Sequence, residues 1–241
     1  MILEGGAKRF HMDAVVLAAG EGSRLNREED HLPKIFVEID GEPLYIHQLR
    51  ALDEYCDRVL FMLGHGFEDS TSPIQAFDIP SSIGADVEFK ILSEWRDYEN
   101  SYTAMKALEE VDSHVLLVCG DVIFSESVVQ SLITEFQRTY KYKNKNIVGA
   151  INKIQDEMTA VQTGPGEEVS SYGDIEGYQE IGLFLLHKSN IHHSISILQR
   201  NTDYWFPVIF EKTPSNVVFV SKEKRHEINN RSQLSRAREK F

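Results

Sequence analysis

The feature that most constrains the fold is a series of short, continuously apolar segments that each end near a glycine. Ala14 to Leu17 runs directly into a glycine-rich loop, and Val115 to Val118 is followed at once by Cys119 and Gly120. Apolar runs of this length, without alternation, are typical of strands buried on both faces of a sheet. Amphipathic stretches separate many of these runs, so the order of elements predicts an α/β protein.

The same patterns predict the individual elements of that fold. The predicted strands are Asp13–Leu17, Ile35–Ile39, Arg58–Leu63, Val87–Leu92, His114–Val118, Ile147–Ile151, Ile181–Leu186 and Val217–Val220. The predicted helices begin at Pro43 and cover Tyr102–Glu110, Ser127–Tyr140, Ser189–Gln199 and Ser232–Lys240. Lys141–Asn146 reads as a turn and Gly164–Gly166 as a loop. We therefore expect a three-layer, Rossmann-like, mostly parallel sheet with helices on both faces and ligands at the carboxyl ends of its strands.

Charge and composition exclude several classes of function. The 241 residues carry 38 acidic against 25 basic side chains, a formal net charge of −13, which argues against nucleic-acid binding. No apolar run approaches the length needed to span a membrane. The two cysteines, Cys56 and Cys119, form neither a CxxC pair nor a zinc-type spacing, and they fit reduced thiols in a cytoplasmic protein.

The segment from Leu17 to Leu25, LAAGEGSRL, carries the clearest chemical signal. Gly20 and Gly22 leave main-chain N–H groups free to approach phosphate oxygens. Arg24 adds a forked cation and Lys34, after Pro33, a compact one, which together suit a triphosphate. A tight strand-to-helix turn without a ligand is the alternative for so short a motif.

This loop, with the Pro-Lys pair downstream, resembles the signature of nucleotidyltransferases that act on sugar phosphates, phosphocholine, inositol phosphate and phosphonates. The resemblance implies that the loop binds the nucleotide and that Arg24 and Lys34 are catalytic. The nucleotide-binding residues of the loop would be Leu17, Ala18, Ala19, Gly20, Gly22 and Ser23.

The resemblance also implies a Mg²⁺ site. Asp121 follows an apolar strand at the position where the family holds its metal, and a carboxylate at that edge of a sheet suits a hard cation. The second family position, usually aspartate, falls on Asn229 within Glu227-Ile228-Asn229-Asn230. Three readings stay open: Asn229 assists Asp121 and the phosphates, Glu227 takes over, or the protein is a weak or inactive relative.

Further candidates for nucleotide and acceptor binding come from the same comparison. Ser93 and Glu94 follow a predicted strand where the family reads the base, with a solvated surface glutamate as the alternative. Asn100 and Ser101 resemble a family segment that helps to hold the nucleotide or acceptor, with a simple helix cap as the alternative. For the acceptor, aromatic faces such as Tyr178 and Trp205, with Tyr172 nearby in sequence, suit a quaternary ammonium group. Lys153 suits a phosphate or phosphonate instead. The candidates for the acceptor site are therefore Tyr178, Trp205 and Lys153.

These observations predict one function and leave two alternatives open. The favoured reading is transfer of CMP from CTP to a small phosphorylated or phosphonate acceptor, with release of pyrophosphate. The rivals are a catalytically weak nucleotide-binding relative and a GTP-using guanylyltransferase of the molybdenum-cofactor type.

The expected domain organisation follows from this reading. Residues 1–11 are expected to be an N-terminal extension and 12–241 a single domain, divided into a nucleotide-binding half (12–140) and an acceptor-binding half (141–241). The oligomeric state is open, with a homodimer as one candidate.

Overall fold

The structure, a computed structural model, describes residues 11–22, 24–25, 33–67, 73–155 and 160–241. Its strands are β1 Met12–Ala18, β2 Glu38–Ile39, β3 Glu42–Pro43, β4 Arg58–Leu63, β5 Asp86–Ile91, β6 His114–Cys119, β7 Val122–Phe124, β8 Asn146–Gln155, β9 Ala160–Thr163, β10 Val169–Gly173, β11 Gly177–Leu186, β12 Ser215–Val220 and β13 Arg225–Glu227. Its α-helices are α1 Leu44–Asp53, α2 Asn100–Leu108, α3 Glu126–Lys143, α4 Ile191–Leu198, α5 Val208–Lys212 and α6 Arg231–Lys240. None of the helices in this part of the chain has both the length and the apolar character required to cross a bilayer.

One sheet joins the first and second halves of the described chain. Its main path runs β10-β9-β11-β6-β1-β4-β5, with β8 pairing β11 and β12 pairing β8. The strands β6, β1, β4 and β5 are all parallel, whereas β11 runs antiparallel to β6, β8 and β9. The predicted Rossmann-like sheet is therefore confirmed, and the antiparallel strands are concentrated in the second half.

Helices cover both faces of the sheet, as expected for a three-layer fold. Along β1, Ala14 and Val16 face the helices α1 and α3, while Val15 faces α2, α4 and α5. All three side chains are fully buried, which explains why the strand has no polar alternation. A third apolar cluster, which includes Ile123, Ile228 and Ala237, attaches β13 and α6 to the body of the protein.

The predicted strand Ile35–Ile39 is wrong in its first part. Lys34–Phe36 forms a 3-10 helix, and within this range the strand is limited to Glu38–Ile39. The carbonyl of Pro33 accepts from the N–H of Phe36 at 3.0 Å, which closes a helical turn that buries Ile35. Apolar residues on a single turn imitate a strand pattern when the run is this short.

Several other sequence predictions need correction. The basic stretch taken as a turn from Lys141 continues α3 as far as Lys143, and Asn144 ends the helix in the left-handed conformation with φ 46°. The Gly164–Gly166 loop contains a 3-10 helix over Pro165–Glu167. Helix α5 and the short strands β3, β7, β9, β10 and β13 were not predicted, and most of them are too short or too polar to show a period. The expected extension falls almost wholly outside the described residues, and the division into one domain with two halves stays a prediction.

A buried histidine lies at the start of β6, at the end of the sheet opposite Gly120. His114 is 4% exposed, and its ring packs edge to face against Phe136 at 4.9 Å and against His187 at 4.7 Å. Burial lowers the pKa of His114 to about 4, and His187 and Lys188 add repulsion. The ring is therefore neutral in the folded protein at neutral pH.

This histidine should make the fold sensitive to acid. Below its ordinary pKa of 6.5 the unfolded chain binds a proton at His114, which the folded protein does not bind until about pH 4. We expect His114→Asn to reduce the loss of unfolding free energy between pH 7 and pH 5 by about 2 kcal/mol, measured by urea denaturation at both pH values. His193→Asn, at an exposed position in α4, is the control, and an unchanged pH dependence in His114→Asn would contradict the prediction.

Candidate active site

The candidate site lies where β1 and β6 end side by side. The N–H of Gly120 donates to the carbonyl of Leu17 at 2.9 Å. A Cβ on Gly120 would lie 2.7 Å from that same carbonyl oxygen, so the two chains can approach this closely only with glycine there. The approach brings the glycine-rich loop next to Asp121.

A cavity of about 200 Å³ opens at this point. It is lined by Leu17, Ala18, Gly20, Gly22, Lys34, Ile35, Asn100, Cys119, Gly120, Asp121 and Phe206. Most of the residues predicted from the glycine-rich motif thus border one space at the carboxyl edge of the parallel strands, where open α/β sheets bind their ligands.

Gly22 meets two constraints in the loop. Its φ of +65° lies in the left-handed region, and a Cβ there would lie 2.7 Å from Cγ of Lys34. Gly20 has an ordinary φ and nothing within 4 Å of the Cβ position, so its missing side chain leaves open space on the cavity side. Gly22 is therefore required by the conformation of the loop, whereas Gly20 leaves the cavity open to a ligand.

Lys34 joins the two candidate metal positions. Its Nζ lies 2.9 Å from Oδ2 of Asp121 and 2.8 Å from Oδ1 of Asn229. The Lys34 and Asp121 side chains are 14% and 25% exposed, so the contact is largely screened from water. One oxygen atom of Asp121 and one of Asn229 therefore both contact the Lys34 ammonium group inside the site.

Arg24 reaches the same group from the other end of the loop. One of its guanidinium nitrogens donates to Oδ1 of Asn229 at 3.3 Å. Both predicted catalytic cations and both predicted metal-binding residues thus meet in one network, although 195 positions separate Lys34 from Asn229.

Asn229 is held in place by its own segment. Its N–H donates to Oε1 of Gln233 at 2.7 Å, and its side-chain amide donates to Glu227. Asn230 caps α6, because its Oδ1 accepts from the N–H of Gln233 at 2.9 Å. Ile228 donates its N–H to the carbonyl of Asp121 at 2.8 Å, which fastens the segment to the end of β6.

Gln48 of α1 stabilises the turn at Gly120 by hydrogen bonds to its backbone. This fully buried side chain of α1 donates to the carbonyl of Val122 at 2.9 Å and to that of Cys119 at 3.3 Å. It satisfies carbonyl oxygens on both sides of Asp121. A single glutamine in an amphipathic helix gives no sequence signal for this role.

A second cavity of about 490 Å³ adjoins the first and shares Leu17, Gly20 and Asn100 with it. Its other lining residues are Ala19, Glu21, Trp95, Arg96, Tyr98, Glu99 and Thr103. The Arg96 guanidinium lies 4.8 Å from the centre of the Trp95 ring. Trp95 and Arg96 were not predicted as site residues, although an aromatic residue just after a strand of a parallel sheet was an available signal.

The remaining predicted nucleotide residues lie at the edge of these cavities or outside them. Ser93 and Glu94 are exposed, bond to each other at 2.8 Å and line neither cavity. Ser101 is fully buried, whereas Asn100 lines both cavities and its Oδ1 accepts from the N–H of Phe206 at 2.9 Å. Ser23 lies outside the described residues.

None of the three predicted acceptor residues lines these two cavities. Tyr178 packs edge to face against Phe219 at 4.7 Å, Trp205 is half-buried before α5, and Lys153 is exposed on β8. Tyr178 and Lys153 lie on paired strands, because Tyr178 is opposite Ile154.

Comparison with known proteins identifies the family of this chain. Residues 14–163 match the family model of the MobA-like NTP transferase domain. The chain therefore belongs to this nucleotidyltransferase family. In the described part of the chain, the matched span contains the glycine-rich loop, Lys34 and Asp121, but it ends before Asn229.

Individual relatives match more distantly. The bifunctional protein GlmU of Syntrophotalea carbinolica is 30% identical over 136 residues, which cover 55% of this chain but only 27% of that protein. The CMP-5'-(3-aminopropyl)phosphonate synthase of Streptomyces rubellomurinus is 29% identical over 120 residues, 49% of this chain and 18% of the relative. The structure of the CTP:phosphocholine cytidylyltransferase from Streptococcus pneumoniae superposes with a TM-score of 0.68 at 16% identity, covering 95% of this chain and 98% of that one. This last likeness confirms the fold.

The contact between Gly22 and Lys34 can be tested by a double-mutant cycle. Gly22→Ala should cost more than Gly41→Ala, because both need a positive φ (65° and 77°) but only the first meets a side chain. We expect the excess to be about 1 kcal/mol in urea denaturation and to disappear when Gly22→Ala is made in a Lys34→Ala background. An excess that persists without the Lys34 side chain would show that this contact is not its cause.

Proposed function

We propose that this chain transfers CMP from CTP to a small phosphate or phosphonate acceptor and releases pyrophosphate. The observation that carries the proposal is the network in which Lys34 joins Asp121 and Asn229 beside a glycine-rich loop at the carboxyl edge of the sheet. Loop amides, two cations and hard oxygen ligands are the groups that phosphoryl transfer requires, since its catalysis consists mainly of positioning and charge neutralisation.

In this proposal the parts of the site take different portions of the triphosphate. The loop amides and Arg24 hold the β- and γ-phosphates, and Lys34 neutralises charge at the α-phosphate. An acceptor oxygen attacks the α-phosphorus in line, a new P–O bond forms, and the bond to the bridging oxygen of pyrophosphate breaks. The fold needs no covalent intermediate for this step.

The donors at the network fit Mg²⁺. Oδ2 of Asp121 and Oδ1 of Asn229 lie within 2.9 Å of a single position that the Lys34 ammonium holds. Within the described residues no group of three or more His, Cys, Asp or Glu side chains is arranged for a metal, so the protein would supply few ligands. This suits Mg²⁺, which keeps several waters and binds substrate phosphates alongside one or two protein oxygens. Bound there, it would supply charge stabilisation at the reacting phosphate.

The preference for CTP rests on similarity. Cytidylyl transfer is in the names of the Streptococcus pneumoniae enzyme and, as CMP, of the Streptomyces rubellomurinus synthase. The cavity lined by Trp95 and Arg96 adjoins the loop and is the space for the base in this proposal. An aromatic face and a guanidinium both stack on a planar base.

Two alternatives follow from particular observations. The family description, MobA-like, keeps a GTP-using guanylyltransferase of the molybdenum-cofactor type as a candidate. Asn229 is neutral at a position that is usually acidic in similar proteins, so a catalytically weak nucleotide-binding relative is the second alternative. We also propose that the protein is cytoplasmic and that it assembles as a homodimer.

The nucleotide is identified by comparing CTP, UTP, GTP and ATP, each with Mg²⁺, in thermal shift and in a pyrophosphate-release assay with a panel of small phosphates and phosphonates. We expect CTP to raise the Tm most and to give Mg²⁺-dependent release of pyrophosphate. Stabilisation by GTP alone would favour the guanylyltransferase. Stabilisation without release, together with a large gain of activity in Asn229→Asp, would favour the weak relative.

Removal of the network should abolish most of the activity. Asp121→Ala and Lys34→Ala are each expected to lower kcat about a hundredfold to a thousandfold, because the first removes a ligand of the proposed Mg²⁺ and the second removes a positive charge at the α-phosphate. Asp112→Asn, an exposed position just before β6 at the opposite end of the strand, is the control and should keep full activity. Retained turnover in Asp121→Ala would exclude the proposed metal position.

A further inference from the structure

A cavity that the proposed reaction does not use lies between α3, β12 and the loop that precedes β10. Its volume is about 320 Å³, and its lining includes Arg138, Lys145, Gly166, Glu168 and Asn216. The start of β8 lies level with the start of β6, because both pair with the last residues of β11. Lys145 immediately precedes β8, whereas Asp121 follows the other end of β6. The cavity is therefore at the end of the sheet away from the candidate active site.

Lys145 brings a buried ammonium group to this cavity. The residue is only 7% exposed, and its Nζ donates to Oε1 of Glu168 at 2.5 Å and to Oδ1 of Asn216 at 2.8 Å. The third N–H of the ammonium group has no partner among the described residues. A buried ammonium group requires a counter-ion, because it has lost its hydration. Glu168 is the carboxylate that supplies this charge in the structure.

The Glu168 carboxylate is far more accessible to water than its partner. The Glu168 side chain is 53% exposed and the Lys145 side chain 8% exposed. The backbone of Glu168 is fixed, because its carbonyl accepts from the N–H of Gly164 at 2.8 Å and the residue bridges to Asn216 of β12. Rotation of the side chain alone is enough to move the carboxylate into water, and Lys145 cannot follow it. Because ion pairs with an exposed partner contribute little to stability, an external anion can replace Glu168 at low cost.

Arg138 of α3 adds a second cation to the same cavity. Its Nε and one Nη donate to Glu135 at 2.8 Å and 2.7 Å. The other Nη has no partner within the part of the chain that the structure describes. Gly166 has nothing within 4 Å of its Cβ position, which leaves that wall of the cavity open. Phosphate offers more acceptor oxygens than a carboxylate, and the guanidinium and ammonium groups both suit it.

We propose that this cavity binds the phosphate group of a small ligand, which replaces Glu168 as the counter-ion of Lys145 and also contacts Arg138. A volume of about 320 Å³ leaves room for a small organic group beside the phosphate. The site is independent of the proposed transfer reaction, since neither Lys34 nor Asp121 borders it.

The test is titration calorimetry with inorganic phosphate, without nucleotide or Mg²⁺. We expect Lys145→Met, which keeps the length of the side chain, to weaken binding at least about tenfold, because a charge-assisted hydrogen bond is lost. Glu168→Gln should tighten binding about tenfold, because the ligand no longer competes with a carboxylate for the ammonium group. Glu167→Gln is the matched control: it removes the same charge from the neighbouring exposed position and should change the affinity by less than about twofold.

The variants separate this site from other places where phosphate could bind. Phosphate held beside Lys34 would bind equally to wild-type protein and to Lys145→Met, and that result overturns the proposal. Equal tightening in Glu168→Gln and Glu167→Gln would show a general effect of charge and overturns it as well. Glu168→Gln retains the buried lysine, so its comparison with Glu167→Gln decides the matter even if Lys145→Met does not fold.

Two further probes identify the ligand class. Acetate that binds to wild-type protein as tightly as phosphate would overturn the assignment to a phosphate group. Glycerol phosphate is compared with inorganic phosphate to distinguish an ester from the ion itself. Tighter binding of either one supports the site, provided that Lys145→Met weakens it.

Discussion

The site depends on one close approach between two parallel strands. Gly120 lets β6 end in hydrogen-bond contact with Leu17 of β1, and no larger residue fits against that carbonyl. The position of Asp121 relative to the glycine-rich loop is set by this contact and by Gln48, which binds the carbonyls on either side. The cavity, the cations and the C-terminal segment are all arranged around an edge that exists because a glycine lies there.

A single ammonium group then connects parts of the chain that have no sequence proximity. Lys34 comes from a helical turn after the loop, Asp121 from the end of β6, and Asn229 from the segment that caps α6. Each partner is held by its own local structure: a turn closed on Pro33, a glycine contact, and a cap on Gln233. A polar network that is satisfied in this way specifies a single arrangement of the groups, which is what positioning of a triphosphate demands.

Local signals explain which features could be predicted from the sequence. The runs around Val15, Leu60 and Leu117 predict the central strands because burial on both faces removes polar alternation, and the loop motif predicts the lining of the first cavity. Gln48 gave no usable signal, because its importance arises from the carbonyl groups that the folded chain brings against it. The segment at Lys34 was predicted as a strand because a single apolar helical turn and a short strand share the same pattern. Tyr178 and Trp205 show the same limit, because residue type alone cannot reveal whether a ring faces a cavity or a neighbouring ring.

The attachment of Asn229 has a consequence for biosynthesis. Lys34 leaves the ribosome 195 residues before Asn229, and the segment that carries Asn229 docks through the bond from Ile228 to the carbonyl of Asp121. A nascent chain can therefore form the central strands while Lys34 and Asp121 still lack their third partner. The network is therefore completed later than the central strands, and a chain interrupted before Ile228 would keep the strands of the sheet and lack the third partner of Lys34.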